Sequence, residues 1–320
     1  MQSNNARRNA EDTGLCQNEK VKIHFVTGKG GVGKSAVAAA MAFRLAQAGF
    51  KTLLVEIGPQ SYYQDYFEHE LTIDQVIGFK PLNFSPFSVR PHEGTSLDLA
   101  LWTPQDCLKD YAIHLLKVEN LYKLFFENPI SKSLIQIAPG LNEISILGKI
   151  TSSLRGIGPK FEYDYVVVDS YATGHFMSML NAPRGLSKAI TLGPMGQQSL
   201  DIFHILQNPK VVKYFIVSLP EELPTEESMD LMTDIRRSTG QSSTLLMNKI
   251  LPLENLQLED NEFDRYLKAA NEKCQLALKK MATNNIAAHP LPFIFSINSA
   301  EVTASLASCL SVPLGLEALP

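Results

Sequence analysis

A chain of 320 residues, 45% hydrophobic and 19% charged, has the composition of a globular protein and the length for one large α/β core with an insertion or for two domains, of which the first is expected. Its formal net charge of -4 gives no basic footprint, so no nucleic-acid partner is expected. No uncharged run reaches the roughly 18 to 20 apolar residues of an integral membrane segment, and the four cysteines (Cys16, Cys107, Cys274, Cys309) form no CxxC pair for a cluster or a closely spaced zinc site.

Residues 1–20 are polar, lack the apolar core of a signal peptide, and read as a disordered tail ahead of one domain over 21–320. Residues 22–27 (KIHFVT) form a short apolar, β-branched run, a predicted strand. It leads into Gly28-Lys29-Gly30-Gly31-Val32-Gly33-Lys34-Ser35, which satisfies GxxxxGK[ST] with an additional lysine at the second position. In such a loop the backbone N–H groups cradle phosphate oxygens, Lys34 reaches the β/γ-phosphates and the Ser35 hydroxyl binds Mg²⁺. Residues 34–48, from Lys34 and Ser35 through Ala36, are rich in helix formers and end at Gly49, so the phosphates would sit at a helix N-terminus, where unpaired N–H groups favour anions. ATP with Mg²⁺ is the expected ligand. A nucleotide site of this kind implies a reducing, ATP-containing compartment, and hence a cytoplasmic location.

Residues 52–57 (TLLVEI), 165–169 (YVVVD), 189–192 (AITL), 214–219 (YFIVSL) and 244–247 (TLLM) are further predicted strands, alternating with helical stretches. That alternation predicts an α/β fold, a doubly wound, mostly parallel sheet with ligands at the carboxyl ends of its strands. Between Pro59 and Lys160 no central strand is expected. Helices over 104–116 and 120–126, broken by Pro81, Pro86, Pro91, Pro129 and Pro139, suggest a helical subdomain inserted at about 60–160, with Leu121, Leu124, Phe125, Phe126, Ile130, Leu134, Ile135 and Ile137 as its core. Asp169 ends a strand, the place from which a Walker B carboxylate organises Mg²⁺ and its waters.

With Lys29, the loop KGGVGKS resembles the deviant Walker A signature of the dimerising ParA/MinD/ArsA class of P-loop ATPases, whose early lysine reaches the partner's nucleotide; the resemblance implies a homodimer. DSYATGHFMSMLNAP (169–183) resembles the switch II segment DxxPTGHTLRLLxxP of the arsenite-pump (ArsA) and tail-anchored-protein targeting ATPases, with Thr173, Gly174 and His175 matching and Ala172 in place of proline. In that family the segment senses the γ-phosphate and informs the helical subdomain, which makes His175 a switch residue. PGLNE (139–143), LPEELPTE (219–226) and Met247-Asn248-Lys249 resemble further family segments in the same order, and the resemblance spans residues 22 to about 312. It implies Asn248 at the adenine edge and Pro292 and Phe293 in a loop over the base.

One departure bears on catalysis. The family's switch I reads xTDPA, its aspartate orienting the attacking water, and here Glu56-Ile57-Gly58-Pro59-Gln60 puts Gly58 in the aspartate's place. Glu56 is the nearby carboxylate: it either substitutes as water-orienting group or holds Mg²⁺-bound water, and the sequence leaves both open. The catalytic set is therefore Lys29, Lys34, Glu56 and Asp169, with Ser35 and Asp169 on the metal. The expected function is an ArsA-like switch that binds and slowly hydrolyses ATP to control an unknown client; the alternative is a hydrolysis-deficient nucleotide-binding scaffold. A MinD-like membrane cycle is disfavoured because residues 302–320 contain no Lys or Arg.

Overall fold

The computed structural model describes residues 21–68, 87–92, 95–116, 140–158, 162–190, 194–253 and 261–316. Eight strands among them form one sheet: β1 (Lys22–Gly28), β2 (Thr52–Ile57), β3 (Phe87–His92), β4 (Thr95–Trp102), β5 (Tyr165–Ala172), β6 (Val212–Ser218), β7 (Thr244–Ile250) and β8 (Ala288–Pro292), in the order β3-β4-β2-β5-β1-β6-β7-β8. Only the pairing of β3 with β4 is antiparallel. The described helices are α1 (Lys34–Gln47), α2 (Tyr62–Glu68), α3 (Pro104–Leu116), α4 (Leu141–Ile150), α5 (Ser152–Arg155), α6 (Thr173–Ala189), α7 (Pro194–Leu206), α8 (Glu222–Thr239), α9 (Glu262–Thr283), α10 (Ser299–Ser308) and α11 (Ser311–Leu314).

The central strands are largely apolar because successive residues serve two cores. Ile23, Phe25, Leu53, Val55, Val166, Val168, Tyr214 and Ile216 pack with residues of α3 to α9 on one face. Val26, Leu54, Val167, Phe215, Val217 and Leu246 pack with α1, α2, α10 and α11 on the other. Burying each such large side chain stabilises by about 1.5 to 3 kcal/mol. Ala38, Ala39, Ala40 and Ala42 are fully buried in α1, and their small side chains let that helix lie close between the sheet and α10. The helix that follows the phosphate loop is thus fixed along its length.

The structure corrects three expectations. The strand predicted over 165–169 does not end at Asp169: β5 continues through Ser170 and Tyr171 to Ala172, because β1 still pairs with it there, Gly28 being the register partner of Ala172. Residues 59–160 do contain a central strand: β4 pairs in parallel with β2 and buries Leu97, Leu99, Ala100 and Trp102. Its Asp98 interrupts the apolar run that would have announced it, and that carboxylate accepts a 2.8 Å hydrogen bond from the Tyr163 hydroxyl. The strand predicted at 189–192 does not start as one, because Ala189 closes α6 and Ile190 is irregular; residues 191–193 lie outside the described set. The helix predicted over 104–116 is α3. The one predicted over 120–126, the apolar residues assigned to its subdomain and the tail over 1–20 lie outside the described residues.

Candidate functional site

The loop following β1 turns on glycines whose positions admit no side chain. Gly28 has φ +146°, and a Cβ there would stand 2.2 Å from the Val217 carbonyl oxygen; Gly33 has φ +90° and would press a Cβ onto the Asn248 amide at 2.5 Å. A Cβ at Gly30 or Gly31 would meet nothing within 4 Å, so open space lies beside the loop at these two positions. Gly33 caps α1 with no side-chain hydrogen bond, and no acidic residue stands in the helix's first turn. The first N–H groups of α1 therefore keep their capacity for an anion. The Lys34 ammonium folds back over the loop and donates to the Lys29 carbonyl oxygen at 2.9 Å. Burial lowers its pKa, opposed by the charge of Asp169.

Two carboxylates flank this cradle. Glu56, next to last in β2, and Asp169, within β5, are register partners on adjacent parallel strands, and both are about 9% exposed. Burial pushes the Asp169 carboxyl above the usual carboxylate range, opposed by hydrogen bonds from Ser35 and Tyr63 and by the Lys34 charge. Burial likewise raises Glu56, whose Oε1 accepts the Tyr62 N–H at 2.6 Å. Its Oε2 is buried without a hydrogen-bond partner. No group of three or more His, Cys, Asp or Glu among the described residues could hold a metal ion alone. Ser35, Asp169 and the unpartnered Glu56 oxygen form a partial oxygen set of the kind that suits Mg²⁺, which keeps water and substrate phosphates among its ligands. The residues present therefore fit Mg²⁺ with a nucleotide.

Lys29 makes an ion pair with Glu227 of α8 at 2.5 Å, the two side chains being 50% and 41% exposed. Asn248, 4% exposed on β7, donates its amide to the Val32 carbonyl oxygen at 2.8 Å, so its observed contact is with the loop. Pro292 ends β8 beside Ile250, and the Phe293 N–H donates to the Ile250 carbonyl oxygen at 2.8 Å. The segment 219–226 leaves β6 and turns helical from Glu222. Gly58 lies outside the left-handed region, and a Cβ there would meet only the Gln60 carbonyl oxygen, at 3.8 Å.

Two segments quoted separately from the sequence meet in space. Gly140, with φ +83°, caps α4, and Glu143 in its first turn lies 3.5 Å from the His175 Nε2. The His175 ring stacks on Tyr171 at 3.7 Å between centroids. The segment over 169–183 is thus in contact with α4, the helix leading out of the proposed insertion.

Sequence reading missed Tyr63 and Glu227. Tyr63 is 1% exposed; its hydroxyl lies 3.0 Å from Asp169 Oδ2 and 2.9 Å from the Ser35 carbonyl oxygen. Burial, followed by the Asp169 charge, holds this phenol well above its ordinary pKa and therefore protonated. The aromatic run YYQDYF soon after Gly58-Pro59 was the available signal.

No helix among the described residues is long and apolar enough to cross a membrane. Comparison with known proteins places this site in a lineage. The family model described as anion-transporting ATPase matches residues 21–198, which contain the loop, both carboxylates and switch II. The chain is 27% identical over 240 residues to the ATPase BagA of Mycobacterium tuberculosis, covering 72% of this chain and 66% of that protein. It is 27% identical over 231 residues to the arsenical pump-driving ATPase of Escherichia coli, covering 70% and 34%. It is 29% identical over 188 residues to the ATPase ASNA1 homolog 2 of Paramecium tetraurelia, covering 56% and 50%. The chain thus spans about a third to two thirds of the length of these relatives. With more than half of its residues matched by the family model, the chain belongs to the ArsA-type anion-transporting ATPase family.

Proposed function

We propose that this protein is a slow Mg-ATP-driven switch that dimerises around its nucleotide and controls a client through the segment over about 60–160. The carrying observation is the convergence of an open glycine loop after β1, Lys34 and two buried carboxylates that are register partners on β2 and β5. The loop from Gly28 to Ala36 would hold the phosphates, with Lys34 moving from the Lys29 carbonyl onto the β/γ oxygens. Ser35 and Asp169 would hold Mg²⁺, Asp169 through water, and the bound ion would neutralise charge developing on the phosphates. Asn248, Pro292 and Phe293, at the ends of β7 and β8, are assigned to the base.

Glu56 faces the site with one oxygen free, and it is the group available to orient a water in the absence of a carboxylate at Gly58. Its other oxygen is held by the Tyr62 N–H, so the alignment is fixed by α2 rather than by a residue at position 58. Such an arrangement supports slow hydrolysis. Lys29 is assigned to the partner's nucleotide. In the single chain it is engaged by Glu227, and an exposed pair of this kind is worth only about 0.2 to 1 kcal/mol, so releasing it costs little. The contact of His175 with Glu143 supports a route from the γ-phosphate to the helical segment. The test is light scattering and phosphate release with Mg-ATP. Wild type is expected to dimerise and to release phosphate, and Lys29→Ala to bind nucleotide but lose both responses. A protein that stays monomeric with ATP and releases no phosphate would favour the hydrolysis-deficient scaffold.

A further inference from the structure

We infer that Tyr63 is a positioning residue for the divalent-cation site, orienting Asp169 and tying the segment after Gly58 to the strand that carries this carboxylate. The inference rests on the Mg-ATP reading above. Glu56 and Asp169 stand side by side on adjacent strands, where like charges would turn their carboxylates apart. Two consecutive residues of α2 hold them: the Tyr62 N–H takes Glu56 Oε1 at 2.6 Å and the Tyr63 hydroxyl lies 3.0 Å from Asp169 Oδ2. A phenol has one proton, and both Asp169 and the Ser35 carbonyl are acceptors within 3.0 Å, so the hydroxyl bridges β5 and the start of α1 by sharing it.

The ring has little freedom to do otherwise. It is stacked on Phe67 at 6.1 Å and set edge-on to Tyr62 and Tyr66 at 5.5 and 6.4 Å. The other side-chain donor to Asp169 is Ser35. Once the Ser35 hydroxyl is committed to the cation, Tyr63 remains as the donor that fixes the carboxylate plane. Any displacement of α2 would then move both carboxylates together.

The experiment compares the full chain with Tyr63→Phe, which keeps the ring and deletes the donor. ATP binding is followed by calorimetry as Mg²⁺ is raised, and again in excess chelator. The expected result is an increase of about tenfold in the Mg²⁺ concentration giving half of the affinity gain, with chelator affinity unchanged. Tyr66→Phe is the control, since it deletes a hydroxyl on the same helix that bonds Ser299 and Thr303 at 3.1 Å. It should leave the Mg²⁺ titration unmoved. Tyr63→Leu, also without a donor, should repeat the Tyr63→Phe shift, and in an Asp169→Asn background Tyr63→Phe should add nothing. Identical Mg²⁺ titrations for wild type and Tyr63→Phe, or an equal shift in Tyr66→Phe, would overturn the positioning role while leaving the nucleotide site intact. If wild type binds no ATP at any Mg²⁺ concentration, the site reading fails first and this inference with it.

Discussion

His24 makes the fold sensitive to acid. It lies on β1 four residues before the phosphate loop, 2% exposed, between the rings of Tyr165 and Phe215, each with its centroid 5.1 Å away. Its Nδ1 has no hydrogen-bond partner. Burial, and after it the charges of Lys213 and Lys22, lower its pKa from 6.5 to about 3. The folded state therefore resists a proton that the unfolded chain accepts, so this group's contribution is complete above the unfolded value and is lost as pH falls from 6.5 toward 3. At about pH 5 the loss is about 1.5 units at about 1.36 kcal/mol each, or about 2 kcal/mol, a large share of a typical domain's stability. Glu56 and Asp169 act with the opposite sign, because their raised pKa values let the folded state take up protons. Comparison with His24→Leu cancels their share. Urea unfolding at about pH 8 and about pH 5 should show wild type losing about 2 kcal/mol more than the variant between the two conditions. Equal pH dependence in the two proteins would mean that the imidazole is hydrated or paired in solution, and the reasoning would be wrong.

Lys34→Ala removes the ammonium that closes over the loop, and calorimetry should show ATP affinity falling about ten- to hundredfold; unchanged affinity would refute the phosphate site. Wild-type turnover should lie below about 1 per second, and Gly58→Asp should raise phosphate release by about tenfold or more. The backbone there needs no positive φ and a Cβ meets nothing closer than 3.8 Å, so with the variant's fold checked by circular dichroism an unchanged rate would count against the water-orienting role of the position.

The sheet was legible where two-sided burial writes a mostly apolar, β-branched run, as in β1, β2 and β5. It was illegible at β4, where Asp98 is tolerated because a distant hydroxyl satisfies it. Local sequence announced α3 through Pro104 at its first turn, whereas Ala189 and Ile190 look like a strand and belong to the end of a helix packed on its neighbours. The contact between His175 and Glu143 joins two segments that the sequence marked separately without marking their meeting.

The sequence by itself determined the phosphate loop, because the glycines, the lysine and the hydroxyl that an anion needs all fall within eight consecutive residues joined to one strand and one helix. What holds the carboxylates and the early lysine was decided only by tertiary structure. Tyr63 and Asp169 are 106 positions apart, and Lys29 and Glu227 are 198 apart. Side chains so distant along the chain are brought together by strand order and helix packing, and neither leaves a periodic trace in the local sequence.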